Sequence, residues 1–559
     1  MPKVTFLNVQ RPNSTLCSAA FMRPCFMVAL SGHRPVGAKP WRTSERLDAV
    51  RGQLERELSK LEEEVEAVGG ELHLVCSVAA GADLVACEIA RDREMPMHLI
   101  LPKPEEEFLA EDFGGDAAAW RDRAVSILDH VKSGVRPSEA GERHCTLRVV
   151  DAPSREPDCY EAVNFLLLDV ADVLLTVNFL GGAEETGGTA HVTRQAAALG
   201  LPHVNVDPAD GSTGLLSEAA FQVSKVEGFP VFERLGDHLG YDGGTEAEGI
   251  EDFAERLDQA ANHSSKRFRT FTKRAICSHA AAGFIAALAA SCYHVFKVDL
   301  AEVSYWLLAL FALVELLLVG YGFFLEFKVG RDHVEGVWLD CRFAREVIRG
   351  LESAAPFLDP LFLKIHRHLP DWGRFATSCA LEMNARREPL RTDDPVAIAQ
   401  ARDQYIEGRI QDQIGYFTRE KKRAAGPGKA FVKLAHLASP AALLAVGVAF
   451  VAKAGIAIDH GHTWSAVFKG DWSNALLFLF LPVFFPLLAS LSFAFMAHFD
   501  FGRRSLGYGV MVETLEHMER RLRTQETLPT IRRTVSWTEE RLLAENIEWL
   551  ATQKSGLGH

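Results

Sequence analysis

Four stretches of this 559-residue chain run almost free of charge over lengths that suit a lipid bilayer. Residues 275–296 contain no Asp, Glu, Lys or Arg, and residues 303–325 are interrupted only by Glu315. Residues 434–452 and 472–499 are also free of formal charge. A helix needs about 20 apolar residues to cross the hydrocarbon core, so each stretch is expected to be a transmembrane helix. They fall in two tight pairs, which reads as two hairpins rather than as core helices of a large soluble domain.

The flanks set an orientation. Lys266, Arg267, Arg269, Lys273 and Arg274 precede the first stretch, and Lys328 and Arg331 follow the second. Lys421, Lys422, Arg423, Lys429 and Lys433 precede the third, and Arg503 and Arg504 follow the fourth. The segments between paired stretches are poor in base: 297–302 holds one lysine against two acids, and 459–471 holds only Lys469. Basic loops stay on the cytoplasmic side, so both hairpin tips are expected outside and both termini in the cytoplasm. Phe327, Gly330 and Arg331 recur as Phe499, Gly502 and Arg503 at one constant offset, which reads as a duplication of the hairpin.

Two features within the bilayer stretches stand out. A carboxylate at Glu315, near mid-span, is costly in hydrocarbon. It is expected to line a pore, to pair with a polar group such as His279, or to lock helix packing in its protonated form. Pro482 and Pro486 should kink or locally open the fourth span, a useful break in a gate.

Ahead of the membrane region, residues 1–245 alternate short apolar runs with amphipathic stretches, the pattern of an α/β domain with a mainly parallel sheet. Strands are expected at 26–30, 71–76, 97–101, 147–150, 172–177 and 203–206, with a long charged helix at 46–68. In such sheets ligands sit beyond the carboxyl ends of the strands. Three loops there are rich in small residues: Ser31-Gly32-His33-Arg34-Pro35, then Ser77-Val78-Ala79-Ala80-Gly81-Ala82-Asp83, then Gly181-Gly182 followed by Gly187-Gly188-Thr189. Glycine lets the backbone approach an anion, and the N–H groups that open a helix point at it, so a phosphate is the expected guest. Thr189 would add a hydroxyl and Arg34 a forked cation. Asp83 is either a ligand residue or an acid complementing its helix start, and Tyr160 either stacks on a base or packs the core. The net charge of -14 argues against a surface that coats nucleic acid. The ten cysteines show neither a CxxC pair nor metal-ligand spacing, and read as buried reduced thiols. No metal or cofactor is expected.

The sequence Val28-Ala29-Leu30-Ser31-Gly32-His33-Arg34-Pro35, with the Gly81-Ala82-Asp83 turn and the Gly187-Gly188-Thr189 helix start, resembles the SLOG superfamily. That group includes the LOG phosphoribohydrolases and nucleotide-sensing modules of bacterial defence systems. The paired spans resemble the two-transmembrane SLATT effector family. Tyr405-Ile406-Glu407-Gly408-Arg409-Ile410, followed by Gln413 and Tyr416-Phe417, is similar to the amphipathic entry helix of that family. The hydrolytic LOG enzymes carry PGGxGTxxE, whose glutamate serves glycosidic cleavage; here Val192 stands three residues after Thr189. Loss of that acid leaves a phosphate cradle without its acid/base, which favours binding over turnover and assigns no catalytic residue.

The expected layout is therefore a Rossmann-like domain (1–245), a linker helix (246–274), a first hairpin (275–325), a cytoplasmic helical region (326–430), a second hairpin (431–499) and C-terminal helices (500–559). Pro356, Pro360, Pro370, Pro389 and Pro395 should cut the cytoplasmic insert into short helices, and Gly426-Pro427-Gly428 should break the chain ahead of the third span. The resemblance implies a homo-oligomer in the bacterial inner membrane, gated by a nucleotide-derived signal and acting in antiphage defence by membrane disruption. A membrane-anchored nucleotide-processing enzyme and a scaffold without turnover are the alternatives.

Overall fold

A computed structural model describes residues 23–32, 44–67, 69–134, 145–150, 158–179, 188–208, 213–215, 230–239, 249–296, 301–332, 334–357, 370–385, 390, 394–458, 476–499 and 501–555. It divides into two compact units. The first holds residues 1–259, 340–403 and 525–559, and the second holds 260–339 and 404–524.

The first unit is built on a seven-stranded sheet. Its strands are β1 (Cys25–Gly32), β2 (Glu71–Cys76), β3 (Met97–Leu101), β4 (Thr146–Val149), β5 (Val173–Val177), β6 (His203–Val206) and β7 (Thr213–Leu215). Their order is β4-β3-β2-β1-β5-β6-β7, parallel throughout except that β7 runs antiparallel to β6 at the edge. The helices between strands are α1 (Ser44–Glu66), α2 (Ala82–Asp92), α3 (Glu105–Glu111), α4 (Arg121–Gly134), α5 (Asp158–Val170) and α6 (Thr189–Ala198). Alternation along β1 feeds two cores. Phe26, Val28 and Leu30 pack with Val50, Leu54 and Leu58 of α1 and with α2 and α4 on one face. Cys25, Met27 and Ala29 pack with Val163 and Leu167 of α5 and with Val192 and Ala196 of α6 on the other. Strands covered on both faces read as near-continuous apolar runs, which makes β1, β2, β3 and β5 legible in the sequence, whereas β4 is only partly buried. Strand β7 has three residues and no apolar run, and it was not expected.

Beyond the sheet lie α7 (Pro230–Leu239), α8 (Ile250–Phe296), α9 (Ala301–Arg331), α10 (Val334–Ala354), α11 (Pro370–Ala385) and α12 (Pro395–Tyr405). Both α11 and α12 begin at proline, whose fixed φ and missing N–H suit a first helical position. Helix α11 completes the second sheet face through Leu381. Ser378 Oγ accepts the Cys25 N–H at 3.1 Å, and Arg374 pairs at 2.8 Å with Asp172, which also accepts the Met27 N–H at 2.9 Å. Among the described cysteines of this unit, Cys25, Cys76, Cys87, Cys145, Cys159, Cys341 and Cys379 are buried free thiols.

The second unit is helical. A π-helical turn (Ile406–Gln411) leads from α12 into α13 (Asp412–Ile458), and a second one (Leu476–Phe480) leads into α14 (Leu481–Phe499); α15 (Phe501–Arg523) follows, and α16 (Leu528–Ser555) returns to the first unit. Helix α13 runs unbroken through Gly426-Pro427-Gly428, against expectation. An interior proline costs a helix about 3 kcal/mol; here α13 packs Phe417 on Tyr508 of α15 and stacks Phe431 on Phe495 of α14 at 5.0 Å between ring centres. Helix α8 runs as one helix from the expected linker through the first apolar stretch. Close approach of α8 and α9 uses Gly322, where a Cβ would lie 2.6 Å from His279 Nε2. Ser278 Oγ donates to the Leu318 carbonyl at 2.6 Å, and His279 meets Glu326 at 3.2 Å. The expected His279–Glu315 pair is thus not made; Glu326, about three turns further along α9, is the partner. Pro486 lies inside α14, whereas Pro482 is its second residue, directly after the π-helical turn.

Among the described residues, two helices are long and apolar enough to cross a membrane, Leu310–Arg331 and Pro395–Val448, and Leu481–Phe495 is a shorter apolar helix.

A buried polar relay ties the end of β5 to β6. Thr176 donates its hydroxyl to Asn205 Oδ1 at 2.8 Å, so the 2.6 Å contact from His203 Nε2 must carry the imidazole proton to Thr176. Burial lowers the His203 pKa to about 4, which keeps the ring neutral in that role. The unfolded chain therefore binds a proton that the folded one refuses, and stability falls as pH drops below about 6.5, levelling off near 4. We expect a loss on the order of 2 kcal/mol at pH 5 relative to pH 7. Hydrogen exchange of peptides covering β5 and β6 should quicken accordingly, beyond the intrinsic pH effect, and a flat profile would show that His203 is not the titrating group.

Candidate functional site at the switch point of the sheet

The strand order reverses direction between β1 and β5, the topological switch point beyond whose carboxyl ends sheets of this kind bind ligands. Register places Ser31 opposite Thr176 and Gly32 opposite Val177, so the two strands end level there. The small-residue loops flagged in the sequence gather at this edge.

Asp83 organises it. This carboxylate is buried, and it accepts the Gly32 N–H at 3.0 Å, the Ser77 hydroxyl at 2.5 Å and the Ala79 N–H at 3.4 Å. It therefore clamps the end of β1 to the β2–α2 loop from the first turn of α2. The loop carries strain: Val78, a β-branched residue, sits at φ 60°. Gly81 opens α2 at φ 109°, a conformation L side chains rarely adopt, so glycine is required there. Gly32 is required for a different reason. A Cβ on it would stand 2.2 Å from the Cβ of Ala82, so strand and helix touch through the missing side chain.

The start of α6 reaches β1 from the sheet face opposite to α2. Gly188 precedes α6, and Thr189, the first helical residue, brings its hydroxyl to 3.5 Å from that of Ser31. Gly188 leaves the start of α6 without a side-chain cap, whereas the first turn of α2 carries the Asp83 carboxylate. Ser31, Gly32, Gly81, Ala82, Asp83, Gly188 and Thr189 are thus brought together. His33, Arg34 and Gly187 lie outside the described residues. Val192 is fully buried in the second core, so the position matched to the LOG glutamate is apolar and turned inward. Tyr160 donates to Asp112 and lies under the Lys103 ammonium, 5.7 Å from its ring centre. It packs within the domain instead of offering a free ring.

Ser77 opens the second small-residue loop, but its residue type does not show that its hydroxyl completes the Asp83 clamp; Asn178, the first residue beyond β5, is not among the expected site residues. The rule that ligands gather after parallel strands flags position 178 in principle, but only glycine-rich loops were read that way. Among the described residues no group of three His, Cys, Asp or Glu is arranged to hold a metal ion. No protein-family model matches the chain, and no curated protein matches it.

Two substitutions test the clamp. Asp83→Ala strands three donors and should cost about 3 kcal/mol. Gly32→Ala forces β1 from α2 and should cost about 2 kcal/mol or more. Both are expected to lower the melting temperature of the detergent-solubilised chain. An unchanged melting temperature in Asp83→Ala would contradict the clamp.

Proposed function

We propose that this protein is a membrane effector gated by a nucleotide-derived signal. The observation that carries the reading is the convergence of the uncapped start of α6 with the Ser31 and Thr189 hydroxyls at the switch point of a parallel sheet. An anion there meets the opening N–H groups and the positive end of the α6 dipole. Phosphate is the anion that suits such a cradle, and the resemblance to SLOG domains extends it to a nucleotide. An apolar Val192 in place of an acid favours binding over hydrolysis.

For the output we propose four spans, at 275–296, 303–325, 434–452 and 472–499, with both termini on the cytoplasmic face of a bacterial inner membrane. Large apolar side chains support this. Leu316 and Leu317 on α9 and Leu443 and Leu444 on α13 are each more than half exposed, a surface that water does not favour and lipid does. Glu315 on α9 and the proline pair of α14 are the gate candidates. Four spans are few for a pore, so the assembly is a homo-oligomer, with antiphage defence by membrane disruption as its role.

A thermal-shift panel of linear, cyclic and ADP-ribose-type nucleotides on the detergent-solubilised chain tests the sensor. A ligand at about 100 times its Kd should add roughly 2.7 kcal/mol to the folded state. The shift should vanish in Gly188→Arg, and the same compound should release dye from liposomes carrying the wild-type chain. No shift from any compound would remove the nucleotide sensor; a shift without leakage would remove the effector. Release of free base from the nucleotide would point instead to a membrane-anchored enzyme.

A further inference from the structure

Asn178 is the first residue beyond β5, and it is only 8% exposed. Among the described residues, its side-chain Oδ1 meets no hydrogen-bond donor. A buried amide oxygen left without a donor destabilises a fold, so its presence needs a reason.

Its surroundings are well made. The Asn178 N–H donates to the Val206 carbonyl at 3.2 Å, and its own carbonyl accepts from Asn205 Nδ2 at 3.0 Å. Asn205 is in turn held by Thr176, and Thr176 by His203. The backbone at 178 is therefore fixed by a relay of buried side chains, and the side chain is not needed to hold it.

Alternation along β5 gives the direction. Leu174 belongs to the core under α5 and α6, so Thr176 and Asn178 fall on that same face. Along β1 the same face carries Ala29 and then Ser31, which pairs in register with Thr176. Asn178 thus shares both the sheet face and the carboxyl edge of Ser31, whose hydroxyl reaches Thr189 at the start of α6. Strand spacing and rise put the Cα atoms of Ser31 and Asn178 about 8 Å apart, a sugar's width from the phosphate cradle.

From this juxtaposition we propose that Asn178 is a specificity-determining residue, whose Oδ1 accepts a hydrogen bond from a hydroxyl of the sugar attached to the phosphate held at Gly188 and Thr189. The inference rests on the nucleotide-binding reading and deepens it: the ligand class is a sugar phosphate bearing a free hydroxyl donor, not a bare phosphate. A site built to hydrogen-bond a hydroxyl discriminates strongly, because without it the buried acceptor stays unpaired.

The probes are ribose 5-phosphate and inorganic phosphate, titrated calorimetrically into the detergent-solubilised full chain, with Asn178→Leu and Gly188→Arg as variants. Wild type should bind ribose 5-phosphate more tightly than phosphate. Asn178→Leu should weaken ribose 5-phosphate about tenfold and leave phosphate unchanged. Its melting temperature without ligand should be equal to or above wild type, since leucine removes an unpaired polar atom. Gly188→Arg should abolish both. If both probes bind wild type but Asn178→Leu leaves the ribose 5-phosphate affinity unchanged, or weakens both probes alike, the role of Asn178 is overturned while the phosphate cradle stands. A drop in melting temperature of Asn178→Leu would equally overturn it, by revealing a structural partner. If neither probe binds wild type, the nucleotide reading fails and takes this inference with it.

Discussion

The carboxylate of Asp83 is the contact on which the switch-point edge of the first unit's sheet depends. One buried side chain takes hydrogen bonds from the last residue of β1 and from two residues of the loop after β2. Those segments are far apart in sequence, and each ends in backbone N–H groups that need acceptors if buried. By satisfying them together, Asp83 lets β1 end against the start of α2, where Gly32 and Ala82 touch. It also holds Val78 in its strained conformation. Charge complementarity with the α2 dipole and clamping of the loop are compatible duties, because the acid stands in the first turn of its helix.

Much of this unit was legible from residue types. Parallel strands buried on both faces leave apolar runs, and β1, β2, β3 and β5 fall within a few residues of those runs. The prolines at 370 and 395 open helices, as their fixed φ and missing donor suggest. Other features were not legible. The relay from His203 through Thr176 to Asn205 joins neighbouring strands across the sheet, and no spacing along the chain reveals it. Helix α13 defeats the breaker signal at Gly426-Pro427-Gly428 because packing against α14 and α15 outweighs local propensity. His279 looked available to Glu315 because both lie in apolar stretches, but the way α8 packs on α9 brings it to Glu326 instead.

The helical unit is assembled with little polar guidance. Its helices meet through glycine and aromatic contacts: Gly322 against His279, Gly283 against Leu487, and Phe284 against Phe484. Small residues let backbones approach, which is how helices associate where lipid removes any hydrophobic drive between them. Within the apolar stretches, the hydroxyls of Ser278 and Ser492 return to the Leu318 and Leu488 carbonyls, while ion pairs such as Arg267–Asp332 and Arg523–Glu519 lie outside them. The outer surface is left to leucine and phenylalanine.

The proline inside α14 has an effect that its apolar sequence hides. Pro486 carries no N–H, so the carbonyl of Pro482, one turn earlier, lacks the amide that would normally close onto it. The π-helical turn just ahead of Pro482 shows the backbone already departing from regular pairing there. A main-chain oxygen without its donor is repelled by hydrocarbon and welcomed by water or a cation. Helix α14 therefore has a thirsty side and an oily side, although Val483, Phe484, Phe485, Leu487 and Leu488 around that oxygen are all apolar.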